Sequence, residues 1–193
     1  MNLNNYTQKS IEAIQSAQTI ARDNSHQCME QIHLLCALLR QENGLAPQLL
    51  KKMDVTVESL DAAANAALNR LPRVTGSREA DKFYVSADLD ATFSAAEQQA
   101  KMMHDDYVSV EHLLLGLMEA ARGAVANLFS DYRITKENAL QALQSVRGNQ
   151  RVTTDNPEGT YEALAKYGTD LVKRARDQKM DPVIGRDEEI RNV

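Results

Sequence analysis

The sequence HLLCAL at residues 33–38 returns as HLLLGL at residues 112–117. The two stretches are offset by 79 residues (112 − 33), and the register holds without a gap for about sixty residues. A repeat of this kind predicts a domain built from two similar units. The seam between such units is a natural place for a ligand, so the repeat also indicates where a binding site could lie.

The composition favours a helical fold. Of the 193 residues, 43% are hydrophobic and 25% are charged, whereas aromatic residues make up only 5% and tryptophan is absent. Alanine and leucine, which recur throughout, are strong helix formers. We therefore expect an all-α domain with one good core. The net charge of −5, without a basic stripe, argues against nucleic acid or an anionic membrane surface as a partner.

The cysteines and the N-terminus favour a reducing compartment. Cys28 and Cys36 form no CxxC pair and no cluster with histidine, so the sequence predicts neither a zinc site nor a disulfide framework. The N-terminal residues are polar, and no apolar run reaches the length of a membrane span. We expect a cytoplasmic protein that does not bind membranes.

Each copy of the repeat is expected to contain four helices, eight in all. Thr7 and Ser86 precede apolar helical periodicity and are predicted to cap the first helix of each copy. The second helices are predicted at about 31–42 and 110–121 from the same periodicity. The fold class is therefore an all-α, eight-helix domain made of two pseudo-twofold four-helix repeats.

Glycine and threonine mark the ends of the later helices. Gly44 and Gly123 are predicted to stop the second helices, because glycine tolerates the positive φ found at helix C-termini. Thr56 and Thr135 are predicted to cap the fourth helices. The equivalent roles follow from the repeat itself.

The chain is predicted to have three parts. Shifts in composition and turn-forming residues set the boundaries. The first part is a domain over 1–147, with repeats at about 1–70 and 85–147 and a loop at 71–84. A flexible linker over 148–160 follows, and then the truncated start of another module over 161–193.

Two stretches near the C-terminal end carry a family resemblance. YEALAKYG at residues 161–168 and DPVIGR at residues 181–186 resemble the beginning of the first ATPase module of Clp/AAA+ proteins. The duplicated HLL unit resembles the Clp amino-terminal domain, and the YEALxKYG pattern is similar to that of the ClpB-type protein disaggregases.

The resemblance implies a role in handling unfolded protein. A full-length protein of this type is a stress-response chaperone: a homohexamer that uses ATP and Mg to extract polypeptides from aggregates with a DnaK-type chaperone system. Its amino-terminal domain captures unfolded or aggregated segments. This chain contains no GxxxxGK[ST] phosphate loop, so by itself it is expected to be no enzyme and to bind no cofactor. In the complete module, Val183, Ile184 and Gly185 would face the adenine.

The resemblance also implies substrate-binding residues, chiefly in the second copy. Thr7, Asp105 and Glu111 occupy positions tied to substrate handling. Local roles compete with this interpretation: Thr7 as a helix cap, Glu111 as compensation of a helix dipole, and Asp105 as a turn residue. These alternatives stay open at the level of sequence.

An apolar groove is implied beside these three residues, with an acidic rim formed by Asp105 and Glu111. Ala95, Gln99 and His112 are expected to line it, although Gln99 reduces its apolar area where leucine would be favoured. Tyr107 is a plausible surface contact.

The equivalent histidines of the two copies, His33 and His112, suggest a metal site only weakly. No suitable ligand spacing accompanies them. We interpret both chiefly as packing residues.

Two other functions remain open. Protease-associated Clp relatives bind adaptors and phosphorylated arginine through a glutamate that precedes the histidine of each repeat. Here that glutamate is present as Glu111 but is replaced by Ile32 in the first copy. Alternatively, the domain could act as a gating cap over the entrance of a ring.

Overall fold

The two copies of the repeat fold into four helices each, in the same order. This computed structural model describes residues 3–74, 84–148 and 150–157, all within one compact unit of the chain. The described residues form eight α-helices: α1 (Gln8–Asp23), α2 (Gln31–Arg40), α3 (Leu45–Lys52), α4 (Val57–Leu68), α5 (Ala87–Met102), α6 (Val110–Ala120), α7 (Gly123–Asp131) and α8 (Lys136–Arg147). The prediction of an all-α fold with four helices per copy is confirmed. Val183, Ile184 and Gly185 lie outside the described residues, as do 161–193 as a whole.

The repeat offset is preserved in the helix boundaries. α5 begins and ends 79 residues after α1, and α8 begins and ends 79 residues after α4. α2 and α6 end at Arg40 and Ala120, slightly earlier than predicted. The sequence repeat therefore corresponds to a structural repeat at the level of single turns.

Each copy pairs its first residues with a loop of the other copy. Strand β1 (Cys28–Met29) lies parallel to strand β2 (Tyr84–Val85). The equivalent pairing in the other direction is the bridge between Tyr6 and Val108. A short 3-10 turn over Leu3–Asn5 precedes Tyr6. The exchange ties the two copies together with approximate twofold symmetry.

The repeated hexapeptides supply the centre of the core. All residues of 33–38 and 112–117 are buried, because α2 and α6 are covered on every side. Gly116 permits the close approach of α5 to α6: a Cβ at this position would lie 2.5 Å from the carbonyl oxygen of Thr92. The hexapeptides that reveal the repeat are thus packing residues in both copies.

The helix caps follow the prediction at three positions of four. The side chains of Thr7, Ser86 and Thr135 accept hydrogen bonds from backbone amides in the first turns of α1, α5 and α8. Thr56 precedes α4 in the same way but makes no side-chain cap hydrogen bond. Thr56 thus occupies the predicted N-cap position of α4 but lacks the side-chain hydrogen bond that the other three residues make.

The expected role of the two glycines is wrong. Gly44 has a φ of −67° and precedes α3, and Gly123 is the first residue of α7 with a φ of 51°. Neither terminates the preceding helix. Left-handed residues instead follow α1 and α5 at Ser25 and His104, which are equivalent positions in the two copies. The turns therefore place residues other than glycine in the left-handed region.

Candidate functional site

A buried cluster of charged side chains lies in the second copy. Arg147, the last residue of α8, pairs with a carboxylate oxygen of Asp105 and places its Nη1 atom 3.5 Å from Oε1 of Glu111. The other oxygen of Asp105 accepts a hydrogen bond from Nε2 of His112 at 3.0 Å. The side chains of Asp105, Glu111 and His112 are fully buried. Three ionisable residues predicted from the sequence thus meet around a single arginine.

The hydrogen bonds fix the tautomer of His112. Its Nδ1 atom accepts from the backbone amide of Ser109 at 2.9 Å, so the proton lies on Nε2 and is donated to Asp105. Ser109 is also the residue that precedes α6, and the same contact closes a capping box at that helix end. His112 therefore orients Asp105 and anchors the start of α6.

The environment of Asp105 stabilises its charged form. Burial tends to raise the pKa of this carboxyl, but hydrogen bonds from His112, Arg147 and the backbone amide of Val152, together with the charge of Arg147, lower the pKa to about 2. Asp105 is thus a carboxylate with donors on both oxygens. Oε2 of Glu111, by contrast, has no hydrogen-bond partner among the described residues.

Neutral groups occupy the equivalent positions of the first copy. His26 stands for Asp105, and its Nδ1 atom lies 2.8 Å from Nε2 of His33. Ile32 and Leu68 stand for Glu111 and Arg147. The capping contact is retained, since the amide of Glu30 donates to Nδ1 of His33. The first copy therefore has the same histidine framework without the buried ions.

The acidic rim expected at Asp105 and Glu111 is not an exposed feature of this structure. Both carboxylates face the interior, where they share the single guanidinium of Arg147. Arg147 was not predicted from the sequence, because an arginine at the last turn of a helix is usually explained by the helix dipole. The equivalent position of the first copy holds Leu68, and this difference between the copies could have indicated the role of Arg147.

The other predicted site residues lie at the start of α1, on α5 and in the loop before α6. Thr7 is buried, caps α1, and donates its backbone amide to the carbonyl of Val108. Ala95 and Gln99 are largely buried on α5, and Tyr107 is half-buried in the loop before α6. Thr7 is thus joined by a hydrogen bond to the loop of Asp105 and Tyr107.

An open groove of about 210 Å³ adjoins the cluster. Its walls combine apolar side chains at the end of α5 and on α8 with the chain that continues after α8: Met103, Leu140, Leu143, Gln144, Arg147, Gly148, Gln150 and Arg151. Leu140 is more than a third exposed, which is unusual for a leucine in this domain. Sequence reasoning missed Leu140 and Leu143 because their spacing on α8 also fits core packing.

Residues 150–157, which we call the docked segment, lie against the domain. Val152 is fully buried, its amide donates to Oδ1 of Asp105 at 2.8 Å, and its carbonyl accepts from the amide of Asp106 at 2.9 Å. Further along, the carbonyl of Asp155 accepts from the amide of Gln8 at 2.8 Å. These hydrogen bonds join residues 150–157, which lie within the linker predicted over 148–160, to the domain.

The seam between the copies is bridged by a buried glutamine. The side-chain nitrogen of Gln31 lies 2.9 Å from Oγ1 of Thr92 and 2.7 Å from the carbonyl of Ala120. Its oxygen accepts from the amide of Arg122. Gln31 thus joins α2 of the first copy to α5 and to the turn after α6.

The described part of the chain contains no group of three or more His, Cys, Asp or Glu side chains arranged to hold a metal ion. Nor does any single helix within it have both the length and the apolar character needed to cross a membrane.

Comparison with known sequences identifies related proteins. The chain is 50% identical over 194 residues to the chaperone protein ClpB of Bacillus cereus and 43% identical over 195 residues to that of Nitratidesulfovibrio vulgaris. Each match covers the whole of this chain but only 22% of the relative. The chain therefore spans about a fifth of the length of these curated relatives.

Solved structures show the same fold at low sequence identity. The N-terminal domain of Hsp104 from Candida albicans matches with a TM-score of 0.70 at 19% identity, covering 80% of this chain and 99% of that domain. The N-domain of ClpV from Vibrio cholerae matches with a TM-score of 0.61 at 15% identity, covering 74% and 85%.

The model of one domain family matches most of the repeat region. This family is described as the Clp repeat N-terminal domain, and the match covers residues 5–132, which include both hexapeptides and most of the charged cluster. The chain belongs to the Clp repeat N-terminal domain family.

Proposed function

We propose that this chain is the substrate-binding domain of an ATP-dependent protein disaggregase. It captures unfolded or aggregated polypeptide segments weakly and passes them to a ring of ATPase modules. The supporting relatives are ClpB chaperones that match the chain over its whole length. In the longer protein, the ring is a cytoplasmic homohexamer that uses ATP and Mg and cooperates with a DnaK-type chaperone system.

The observation that carries the proposal is the apolar groove on the second copy. Leu140 and Leu143 line it beside Met103, and methionine adapts to side chains of different shape. Its volume of about 210 Å³ suits one or two side chains of a client. A site of this size gives weak binding, which allows the client to be released, and several tethered domains restore capture through effective concentration.

The predicted site residues act in this proposal by supporting and extending the groove. Asp105, Glu111 and His112 hold Arg147 in the groove wall. Thr7 secures the loop that carries Tyr107, which is the half-buried aromatic available for a client. Ala95 and Gln99 are buried residues of α5, and Met103 follows the C-terminal end of that helix.

The test compares two exposed apolar residues that differ in position. Leu140→Gln removes an apolar wall of the groove, whereas Met102→Gln changes a residue that is 70% exposed and does not line it. Casein, an unfolded polypeptide, is titrated into the labelled protein and followed by backbone NMR. We expect shifts clustered at the groove, lost in Leu140→Gln and retained in Met102→Gln. Shifts elsewhere, or equal losses in both variants, would refute the proposal.

Phosphoarginine binding is the second function to test. Glu111, the residue that would receive a guanidinium, already faces the guanidinium of Arg147, and Ile32 offers no carboxylate in the first copy. We therefore expect no saturable binding of phosphoarginine. The gating alternative is tested in the longer protein: deletion of 1–148 with raised basal ATP hydrolysis would favour it over substrate capture.

A further inference from the structure

The docked segment interacts with the domain as a bound peptide would. Its backbone is held through the amide and the carbonyl of Val152 and the carbonyl of Asp155. Only Val152 and Pro157 are buried, while the four residues between them, 153–156, are exposed. Main-chain hydrogen bonds combined with a pocket for one side chain are the features by which proteins recognise extended peptides.

The surface beneath the docked segment contains buried polar groups that form hydrogen bonds with the segment's backbone. Asp105, whose side chain is fully buried, directs Oδ1 at the amide of Val152. Arg147 donates from Nε to the carbonyl of Gln150. Removing the segment would take one hydrogen-bond partner from each of these groups, which is unfavourable unless water or another backbone replaces it.

The end of the docked segment is fixed at a different element. The amide of Gln8 in the first turn of α1 donates to the carbonyl of Asp155, and Nε2 of Gln8 donates to its carboxylate at 2.9 Å. Between these contacts the segment joins α1 of the first copy to the loop before α6 of the second. Such a site has a fixed direction and accommodates a short stretch of extended chain.

We propose that the surface formed by Gln8, Asp105 and Asp106 is a binding site for extended polypeptide, and that the docked segment is its resident intramolecular competitor. The ligand is an unfolded segment with a β-branched apolar residue at the position of Val152 and polar neighbours. This inference rests on the proposed function in that the ligand is again polypeptide, and its surface adjoins the groove at Leu140, whose walls include Gln150 and Arg151 of the docked segment.

The competition has a measurable consequence. A tethered segment is present at an effective concentration in the millimolar range, so a free peptide binds the intact chain poorly. Weakening the segment's own contacts should therefore increase the affinity for a peptide added in solution.

The experiment uses the 193-residue chain and a fluorescent peptide with the sequence of residues 150–157, QRVTTDNP. Val152→Asp places a charge in the buried pocket and should release the segment, whereas Thr153→Asp alters an exposed neighbour. In anisotropy titrations we expect roughly tenfold tighter binding to Val152→Asp than to the unaltered chain or Thr153→Asp. A peptide that carries the same Val→Asp change should not bind.

Hydrogen exchange shows whether the variant remains folded. In Val152→Asp the amides of Asp106 and Gln8 should lose protection, while amides within α2 and α6 keep it. Val152→Ala, a milder change, should give an intermediate gain in peptide affinity. Equal peptide affinity for all chains despite released amides at Asp106 and Gln8 would overturn the inference, as would full protection of those amides in Val152→Asp. Leu140→Gln leaves Val152 and Asp155 unaltered, so loss of casein binding in that variant reports on the groove and not on release of the docked segment.

Discussion

Four equivalent buried positions hold side chains of different chemistry in the two copies of the repeat. In the first copy His26 and His33 form a buried pair, and the other two equivalent positions hold the buried residues Ile32 and Leu68. In the second copy the same four positions hold one histidine and three charged residues: Asp105, His112, Glu111 and Arg147. The three charged residues occur together because burying any one of them without the others is costly.

The copies also differ in the chain that leaves their last helix. After α4 the amide of Val74 donates to the carbonyl of Ser25, and the first-copy loop at Cys28 and Met29 pairs with β2. After α8 the docked segment contacts Asp105 directly. The buried carboxylate thus gives the second copy a polar anchor that the first copy lacks. Function is therefore expected where the copies diverge.

The largest effect on this difference between the copies is expected from removing the central cation, Arg147. Arg147→Met keeps the aliphatic stem but leaves Asp105 and Glu111 buried without a counter-charge. We expect the free energy of unfolding to fall by about 3–5 kcal/mol, measured by urea denaturation at neutral pH.

The matched control converts the second copy to the residues of the first. The triple variant Asp105→His, Glu111→Ile and Arg147→Leu removes all three charges together, and replacing a buried ion cluster with packed apolar groups is often neutral. We expect it to be more stable than Arg147→Met. If the triple variant were as unstable as Arg147→Met, the charged cluster would itself stabilise the fold. The residues of the two copies would then not be interchangeable.

The fold was largely predictable because the repeat and the helical periodicity depend on local sequence. The hexapeptides at 33–38 and 112–117 marked α2 and α6, and Thr7, Ser86 and Thr135 marked helix starts. The left-handed turns at Ser25 and His104 were missed, since neither residue is a glycine. Backbone conformation there is set by the packing of flanking helices, which a single sequence does not reveal.

The site was only partly predictable, because it depends on contacts between distant residues. Asp105, Glu111 and His112, which the family resemblance implied as site residues, lie close together in the structure, but their role in binding stays a prediction. Arg147 and Val152 reach them from 36 or more residues away in sequence, and no local pattern connects these positions. Asp105 and Glu111 are buried because of these distant contacts. Burial makes them structural supports.

A smaller effect should come from the closest helix contact of the second copy. Gly116→Ala would place a Cβ 2.5 Å from the carbonyl oxygen of Thr92 and 2.9 Å from the amide nitrogen of Ala96. The backbones of α5 and α6 must then separate, at a cost of about 1–3 kcal/mol. The first copy already has alanine at the equivalent position, Ala37. Thermal unfolding of Gly116→Ala should show a lower Tm, and an unchanged Tm would mean that α5 and α6 can move apart freely.

The histidine pair should make stability depend on pH. Burial, and the charge of His26, lower the pKa of His33 to about 4, from an unfolded value near 6.5. The unfolded chain therefore binds a proton that the folded pair excludes, and stability is lost as pH falls from 6.5 towards 4. The slope is at most about 1.4 kcal/mol per pH unit for one such group.

Two variants separate the contributions of the copies to this pH profile. His33→Gln should flatten the profile between pH 6.5 and 4, as measured by urea denaturation at a series of pH values. Asp105→Asn breaks a buried ion pair and should lower stability above pH 3.8 by an amount that does not vary with pH. It should change the slope of the profile only below pH 3.8, because the lowered pKa of Asp105 places its loss of stability between 3.8 and about 2. A profile in His33→Gln that is as steep as in the unaltered chain would exclude the histidine pair as its source.

The smallest predicted change in stability concerns the threonine that precedes the fourth helix of each copy. Thr135 and Thr56 both precede the fourth helix of their copy and both are exposed, but only Thr135 accepts a hydrogen bond, from the amide of Asn138 at 3.2 Å. Thr135→Ala should therefore lower the free energy of unfolding by about 1 kcal/mol, whereas Thr56→Ala should change it by no more than about 0.5 kcal/mol. Equal losses in denaturation experiments would mean that Thr56 also caps α4 in solution. The copies would then share their helix caps and differ only in the buried charges and in the segment docked on them.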